Sequence, residues 1–256
     1  MQTHIDLNCD LGESFGPWKM GNDAGVIPFV SSINIACGFH AGDSRTMQQT
    51  LILAKLHGMR GLAIGAHTGL PDLRGFGRRE LALDAQDLYC DTLYQLGALA
   101  ALAKAAGLTI RHIKPHGALY HMLEQQPKLA HSFVSAAKDF SPTLQIYGLA
   151  QGKLLSCAAG LGMPVKHEFF ADRRYLPNGG LVPRGQPGAV IEDANIAAAQ
   201  VMQVLQHGKL TALDGAELAL AADTVCIHGD RADAAEFAAA LHTQLCASGV
   251  RIGAGT

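Results

Sequence analysis

The chain opens on His4-Ile5-Asp6-Leu7-Asn8-Cys9-Asp10-Leu11-Gly12-Glu13, where apolar Ile5, Leu7 and Cys9 alternate with Asp6, Asn8 and Asp10. A period of two is that of a β-strand. It sets the three polar side chains on one face, each about 7 Å from the next. Taken alone, such a face reads as solvated. Most later strands end in similar polar exits, however, and that recurrence favours the wall of an active site.

Further apolar blocks predict strands over 32–37, 60–66, 109–114, 144–149, 165–170 and 223–227, with a short closing strand over 250–252. Helical stretches separate them. One is capped by Asp43 or Ser44, runs to about 57 and is closed by Gly58; a longer one covers about 84–106 and is closed by Gly107. Others flank Pro127, run up to 159, and cover 191–206 and 232–247. The glycine-rich 14–28 segment reads as a long loop with one helical turn. The segment 171–190 is dense in Gly and Pro and too long for an ordinary connection, so it is expected to act as a lid. Strands alternating with helices imply a parallel sheet with right-handed crossovers. About seven such units suggest a closed, TIM-like (β/α) barrel, a doubly wound open sheet being the alternative. No stretch resembles an interdomain linker, so residues 1–256 are expected to form one barrel domain.

Composition narrows the class. The 256 residues are 48% hydrophobic and 16% charged, the mix of a compact globular chain. Twenty basic against 22 acidic residues, with no basic block, favour neither nucleic acid nor an anionic membrane surface. Met1-Gln2-Thr3-His4-Ile5-Asp6 shows neither a basic nor an apolar run, so no signal peptide is expected, and the alanine-rich runs are too interrupted to be expected to span a bilayer. The six cysteines are scattered, with no C-x-x-C pair, and read as reduced thiols in a cytoplasmic protein. Cys9, Cys37 and Cys226, late in strands, read as small buried core groups.

The chemistry lies at the strand exits. Of 12 histidines, His40, His67, His116 and His228 each follow an apolar strand, whereas others such as His57, His207 and His242 lie on helices. In a parallel sheet of either topology these exits converge on one mouth, together with Asp10, Glu13, Asp43, Lys114, Asp172 and Asp230. Such a set can ligate a divalent metal around an open water position, with Asp10, His40 and His67 as candidate ligands. It can equally work without metal, with Asp or His as general base and a cation holding the oxyanion. No H-E-x-x-H or similar local motif decides between them. Arginines 74, 78, 79, 173, 174 and 184 lie on exit loops and suit carboxylate or phosphate recognition. No G-x-x-x-x-G-K-[ST] phosphate loop is present.

Asp6-Leu-Asn-Cys-Asp-Leu-Gly-Glu13, Asn34-Ile-Ala-Cys-Gly-Phe-His-Ala-Gly-Asp43, Gly65-Ala-His67, Lys114-Pro-His-Gly-Ala-Leu-Tyr120, Phe170-Ala-Asp-Arg173, Leu181-Val-Pro-Arg184 and Ile227-His-Gly-Asp230 together resemble the LamB/YcsF family. The motifs are long, in order, and spread from residue 6 to 230. The chain departs from the family pattern at His67-Thr-Gly-Leu-Pro-Asp72, where His-Pro-Ser-Tyr-Pro-Asp is expected; His67 and Asp72 are retained. The resemblance implies a distorted seven-stranded α/β barrel of the glycoside hydrolase/deacetylase type. It also implies ATP-dependent hydrolytic opening of 5-oxo-L-proline to L-glutamate, with ATP as co-substrate, alongside the B and C subunits of a 5-oxoprolinase. Self-association is compatible with it. Lacking a phosphate loop, the chain is expected to meet ATP on a partner or at a shared site.

Within that reading, Asp10, Glu13, His40, His67, His116, Asp172, His228 and Asp230 are the expected catalytic set. Asn8, Asp43, Lys114, Arg173 and Arg184 are expected to hold substrate or anion. The rival readings are a stand-alone metal-dependent deacetylase or amidohydrolase, and a catalytically silent ligand-binding subunit.

Overall fold

A computed structural model describes residues 2–58 and 61–255. In order, the elements are β1 (His4–Leu11), α1 (Asp23–Val26), β2 (Ser32–Ala36), α2 (Ser44–His57), β3 (Ala63–Thr68), α3 (Ala85–Ala105), β4 (Ile110–Pro115), α4 (Gly117–Gln125), α5 (Pro127–Phe140), β5 (Gln145–Leu149), α6 (Lys153–Gly160), β6 (Val165–Phe170), α7 (Ala194–His207), β7 (Lys209–Thr211), β8 (Glu217–Ala219), β9 (Thr224–His228), α8 (Ala234–Ala247) and β10 (Arg251–Ile252). Among the described residues, seven parallel strands run in the order β1-β2-β3-β4-β5-β6-β9, and β9 pairs with β1 to close the barrel. The open-sheet alternative is excluded by that last pairing.

Three expectations change. The terminal strand β10 does not close the barrel; it pairs with the start of β1, His4 opposite Arg251. The third strand begins at Ala63 and runs on to Thr68, so His67 lies within it; the expected start at Arg60 lies outside the described residues. A small antiparallel hairpin, β7–β8, occupies a stretch where no element was expected. Its strands have three residues each, too short to register as a period.

Local chemistry explains the helix boundaries. Asp43 starts α2 by accepting the Thr46 N–H at 2.8 Å. Asp84 and Asp193 do the same for α3 and α7. Pro127 opens α5, where its missing N–H costs nothing. Gly208 closes α7 in the left-handed conformation, φ 62°. Around the barrel, outward-facing Ile5, Leu7, Cys9, Ile33, Ile35, Ile113, Phe169 and Val225 join the helices in one apolar core.

The inward face is polar, a cost that partners from facing strands offset. Asp6 accepts hydrogen bonds from four hydroxyls: Ser31 at 2.7 Å, Ser32 at 2.6 Å, Tyr147 at 2.9 Å and Thr224 at 2.6 Å. Above it, Asn34 donates to Asn8 and Asp10, both at 2.8 Å, while its carbonyl oxygen faces His112 Nε2 at 2.7 Å. The His112 ring crosses the barrel over Gly65, where a Cβ would lie 2.0 Å from Nε2. Only glycine leaves room for it. No described helix is long and apolar enough to cross a membrane.

Candidate active site

At the carboxyl ends of the strands, Lys114 from β4 is almost wholly buried and ion-paired to Asp10 of β1 at 2.9 Å and to Glu168 of β6 at 2.8 Å. It also lies 3.0 Å from Cys226 Sγ on β9. Burial disfavours the ammonium, but Asp10, Cys226 and Glu168 outweigh it and raise Lys114 well above its ordinary range. Burial likewise opposes the Asp10 carboxylate, yet His67 and Lys114 hold it well below the usual carboxylate range. Glu168, completed by the Tyr120 hydroxyl at 3.0 Å, was not singled out in the sequence. Its signal is the alternation Lys166, Glu168, Phe170, obscured by the adjacent Phe169.

Beside this ion pair sits a cluster of imidazoles. His40 and His116 stack with ring centroids 3.7 Å apart, and His67 stands nearly perpendicular to both. His67 Nδ1 faces the Lys114 carbonyl at 3.1 Å, and His116 Nε2 faces the Phe76 carbonyl at 2.8 Å. Glu13 Oε1 is 3.5 Å from His40 Nε2 and 3.6 Å from His116 Nδ1, while Asp10 Oδ2 is 3.3 Å from His67 Nε2. Burial, reinforced by the neighbouring imidazoles, lowers His40 and His116 well below the ordinary histidine range. Burial, with repulsion from Asp10 and Asp230, raises Glu13 well above its own. Gly77, φ 61°, closes over the cluster; a Cβ there would come within 2.6 Å of His40 Cβ.

Above both groups opens a cavity of about 480 Å³, lined among others by Asp10, His67, Lys114, His116, Phe170 and His228. His228 Nδ1 donates to both oxygens of Asp172, at 2.9 and 2.8 Å. Burial opposes the Asp172 carboxylate, but His228 overcomes it and Asp172 is lowered. On the far wall are Arg173 and Arg184. Arg173 donates to the Val182 carbonyl at 2.5 Å, and burial together with the nearby Arg184 lowers it to about 10. Arg78 and Asp230 pair across the rim at 2.6 Å. His121, also lining the cavity, went unnoticed in the sequence because it lies on α4 rather than at a strand exit.

The segment 171–190 is anchored rather than free at its base. Tyr175 is fully buried, stacks on Phe169 and accepts the Phe170 N–H at 2.8 Å. Bridges join Arg173 to Val190 and Tyr175 to Leu181, so that Leu181, Val182, Pro183 and Arg184 form a wall of the cavity. Two expected binding residues lie away from the cavity lining. Asn8 is buried beneath Asp10, donating to Thr224 at 2.7 Å. Asp43 accepts N–H groups of Thr46 and Gly16, the latter at 2.7 Å.

The LamB/YcsF family model matches residues 5–256. The chain belongs to the LamB/YcsF family. Among its relatives, the Bordetella parapertussis protein named as the A subunit of 5-oxoprolinase is 47% identical over 252 residues, covering 98% of this chain and 99% of its own length. The Bacillus subtilis protein of the same name is 46% identical, covering 97% of this chain and 95% of its own. The crystal structure of a lactam utilization protein from Thermus thermophilus superposes with a TM-score of 0.92 at 44% identity, over 98% of this chain and all of that one. The family likeness thus spans the whole barrel and every strand exit described above.

Proposed function

We propose that this chain is the A-type component of a 5-oxoprolinase, acting with B and C partners to open 5-oxo-L-proline to L-glutamate at the expense of ATP. The observation that carries this reading is the cavity, in which a proton-handling floor faces a pair of guanidinium groups. Its volume is in the range of small-molecule sites. Near full-length likeness to proteins named as the A subunit of 5-oxoprolinase supports the same reading.

A five-membered lactam is a poor electrophile whose ring closure is favoured, so hydrolysis gains from phosphoryl transfer. Moving the γ-phosphoryl of ATP to the lactam oxygen releases ADP and leaves a carbon that water attacks. The ring C–N bond then breaks with proton transfer to nitrogen, leaving a γ-glutamyl phosphate, and a second water hydrolyses that acyl phosphate to glutamate and inorganic phosphate. In this scheme Arg173 and Arg184 hold the substrate carboxylate. Lys114 keeps Asp10 ionised and supplies positive charge where the oxygen becomes anionic. A carboxylate held as low as Asp10 is a weak base. His228, fixed by Asp172 through Nδ1 and with no partner at Nε2 among the described residues, is the better-placed acceptor of the water proton.

The deciding assay is ATP-dependent glutamate release from 5-oxoproline by the chain reconstituted with B and C. His228→Gln and Asp10→Asn should each abolish release while circular dichroism stays native. Wild-type turnover in both variants, or no release by the wild-type complex, sinks the proposal. Release without ATP or partners would favour a stand-alone amidohydrolase, the reading to which the Glu13 and histidine cluster lends itself.

A further inference from the structure

The proton inventory of the imidazole cluster does not close. The carbonyls of Lys114 and Phe76 only accept, so His67 carries its proton on Nδ1 and His116 on Nε2. The two remaining nitrogens, His67 Nε2 and His116 Nδ1, face each other at 2.9 Å. In neutral rings both present lone pairs, which repel unless something positive lies between or beside them. His40 adds a second deficit: both of its ring nitrogens are buried without a hydrogen-bond partner. Its Nε2 is 3.5 Å from the Glu13 carboxylate.

We propose that Glu13, His40, His67 and His116 bind one divalent transition metal ion of the zinc class. One ligand atom from each lies within 4.8 Å of all the others. Three imidazoles and one carboxylate form a donor set of the hardness that zinc and its neighbours accept. The outer N–H groups of His67 and His116 are fixed by backbone carbonyls, the arrangement that orients metal-ligating histidines. A proton shared between His67 and His116 would relieve their confrontation but leave both His40 nitrogens unpartnered. A cation engages the facing nitrogens of His67 and His116, one nitrogen of His40 and the Glu13 carboxylate together. The carboxylate of this set is Glu13, whose oxygen lies close to ligand atoms of all three histidines, whereas Asp10 is ion-paired to Lys114 through Oδ1 and approaches only His67 through Oδ2. His67 and His116 also line the cavity, so the ion would lie at its floor.

The proposal is independent of the lactam reaction and is tested without substrate, ATP or partners. The purified full chain is stripped with chelator, dialysed, and titrated with Zn²⁺ by calorimetry, with elemental analysis of the reloaded protein. One equivalent per chain and a rise in melting temperature are expected. Glu13→Gln and His40→Gln should each weaken binding at least about tenfold, with metal-free circular dichroism matching wild type. Cys246→Ser, which removes a thiol 3.8 Å from His242 on the surface, should leave the stoichiometry at one. No stoichiometric zinc in the wild type overturns the proposal, as does equal affinity in both cluster variants or loss of the equivalent in Cys246→Ser.

Discussion

His112 shows how a single buried group ties stability to pH. Burial, then repulsion from the nearby Lys114 ammonium, lowers it to about 3, against about 6.5 in an unfolded chain. The folded protein therefore refuses a proton that the unfolded chain accepts, and stability falls as pH drops from about 6.5 towards 3. His112→Gln retains a donor for Asn34 and removes this titration. Its unfolding free energy, measured by urea denaturation, should decline less steeply over that window, by up to about 1.4 kcal/mol per pH unit. Parallel slopes in the two proteins would refute the assignment. Nothing in the local sequence marks His112 as buried and neutral; it precedes Lys114 by two residues and so shares the inward face, but its charge state is set by neighbours from other strands.

At the scale of elements, the strand exits do the positioning, and Asp43 separates support from chemistry. Its side chain accepts from Thr46 N–H, fixing the start of α2, and from Gly16 N–H, tying down the first loop. Asp43→Ala should cost about 1 kcal/mol, Asp43→Ser should recover most of it, and neither should change the KM for 5-oxoproline in the reconstituted complex. A KM raised tenfold by both would return Asp43 to the binding set. The segment 171–190 has two parts for the same kind of reason. Buried Tyr175 anchors its base, while Gly and Pro shape the stretch that carries Arg184 to the cavity wall. Its Gly/Pro density identified an unusual loop, but the packing of Tyr175 on Phe169 was not readable from composition.

Across the whole molecule, the Asp10–Lys114–Glu168 group joins β1, β4 and β6 through the barrel centre. Buried charges of this kind are costly to break one at a time. Lys114→Met leaves two buried carboxylates without their cation and should destabilise the chain by about 3–5 kcal/mol. The triple variant Asp10→Asn, Lys114→Met, Glu168→Gln should recover much of that loss while remaining inactive. Chemical denaturation of the three proteins checks this, and a triple variant no more stable than Lys114→Met would contradict it.

The alternation of Ile5, Leu7 and Cys9 with Asp6, Asn8 and Asp10 was enough to place a strand with one polar face, and the recurrence of strand and helix was enough for a parallel barrel. The histidines after apolar runs pointed to the carboxyl ends of the strands, where His67, His116 and His228 line the cavity and His40 packs beneath it. These are local patterns, because period and capping depend on residues within a few positions of each other. Tertiary structure alone decided which polar groups meet. It put Asp6 among four hydroxyls from distant segments, Glu168 against Lys114, and Glu13 rather than Asp10 among His40 and His116. Those partnerships depend on barrel closure and strand register, which pair residues as much as 218 positions apart and leave no trace in any one stretch of chain.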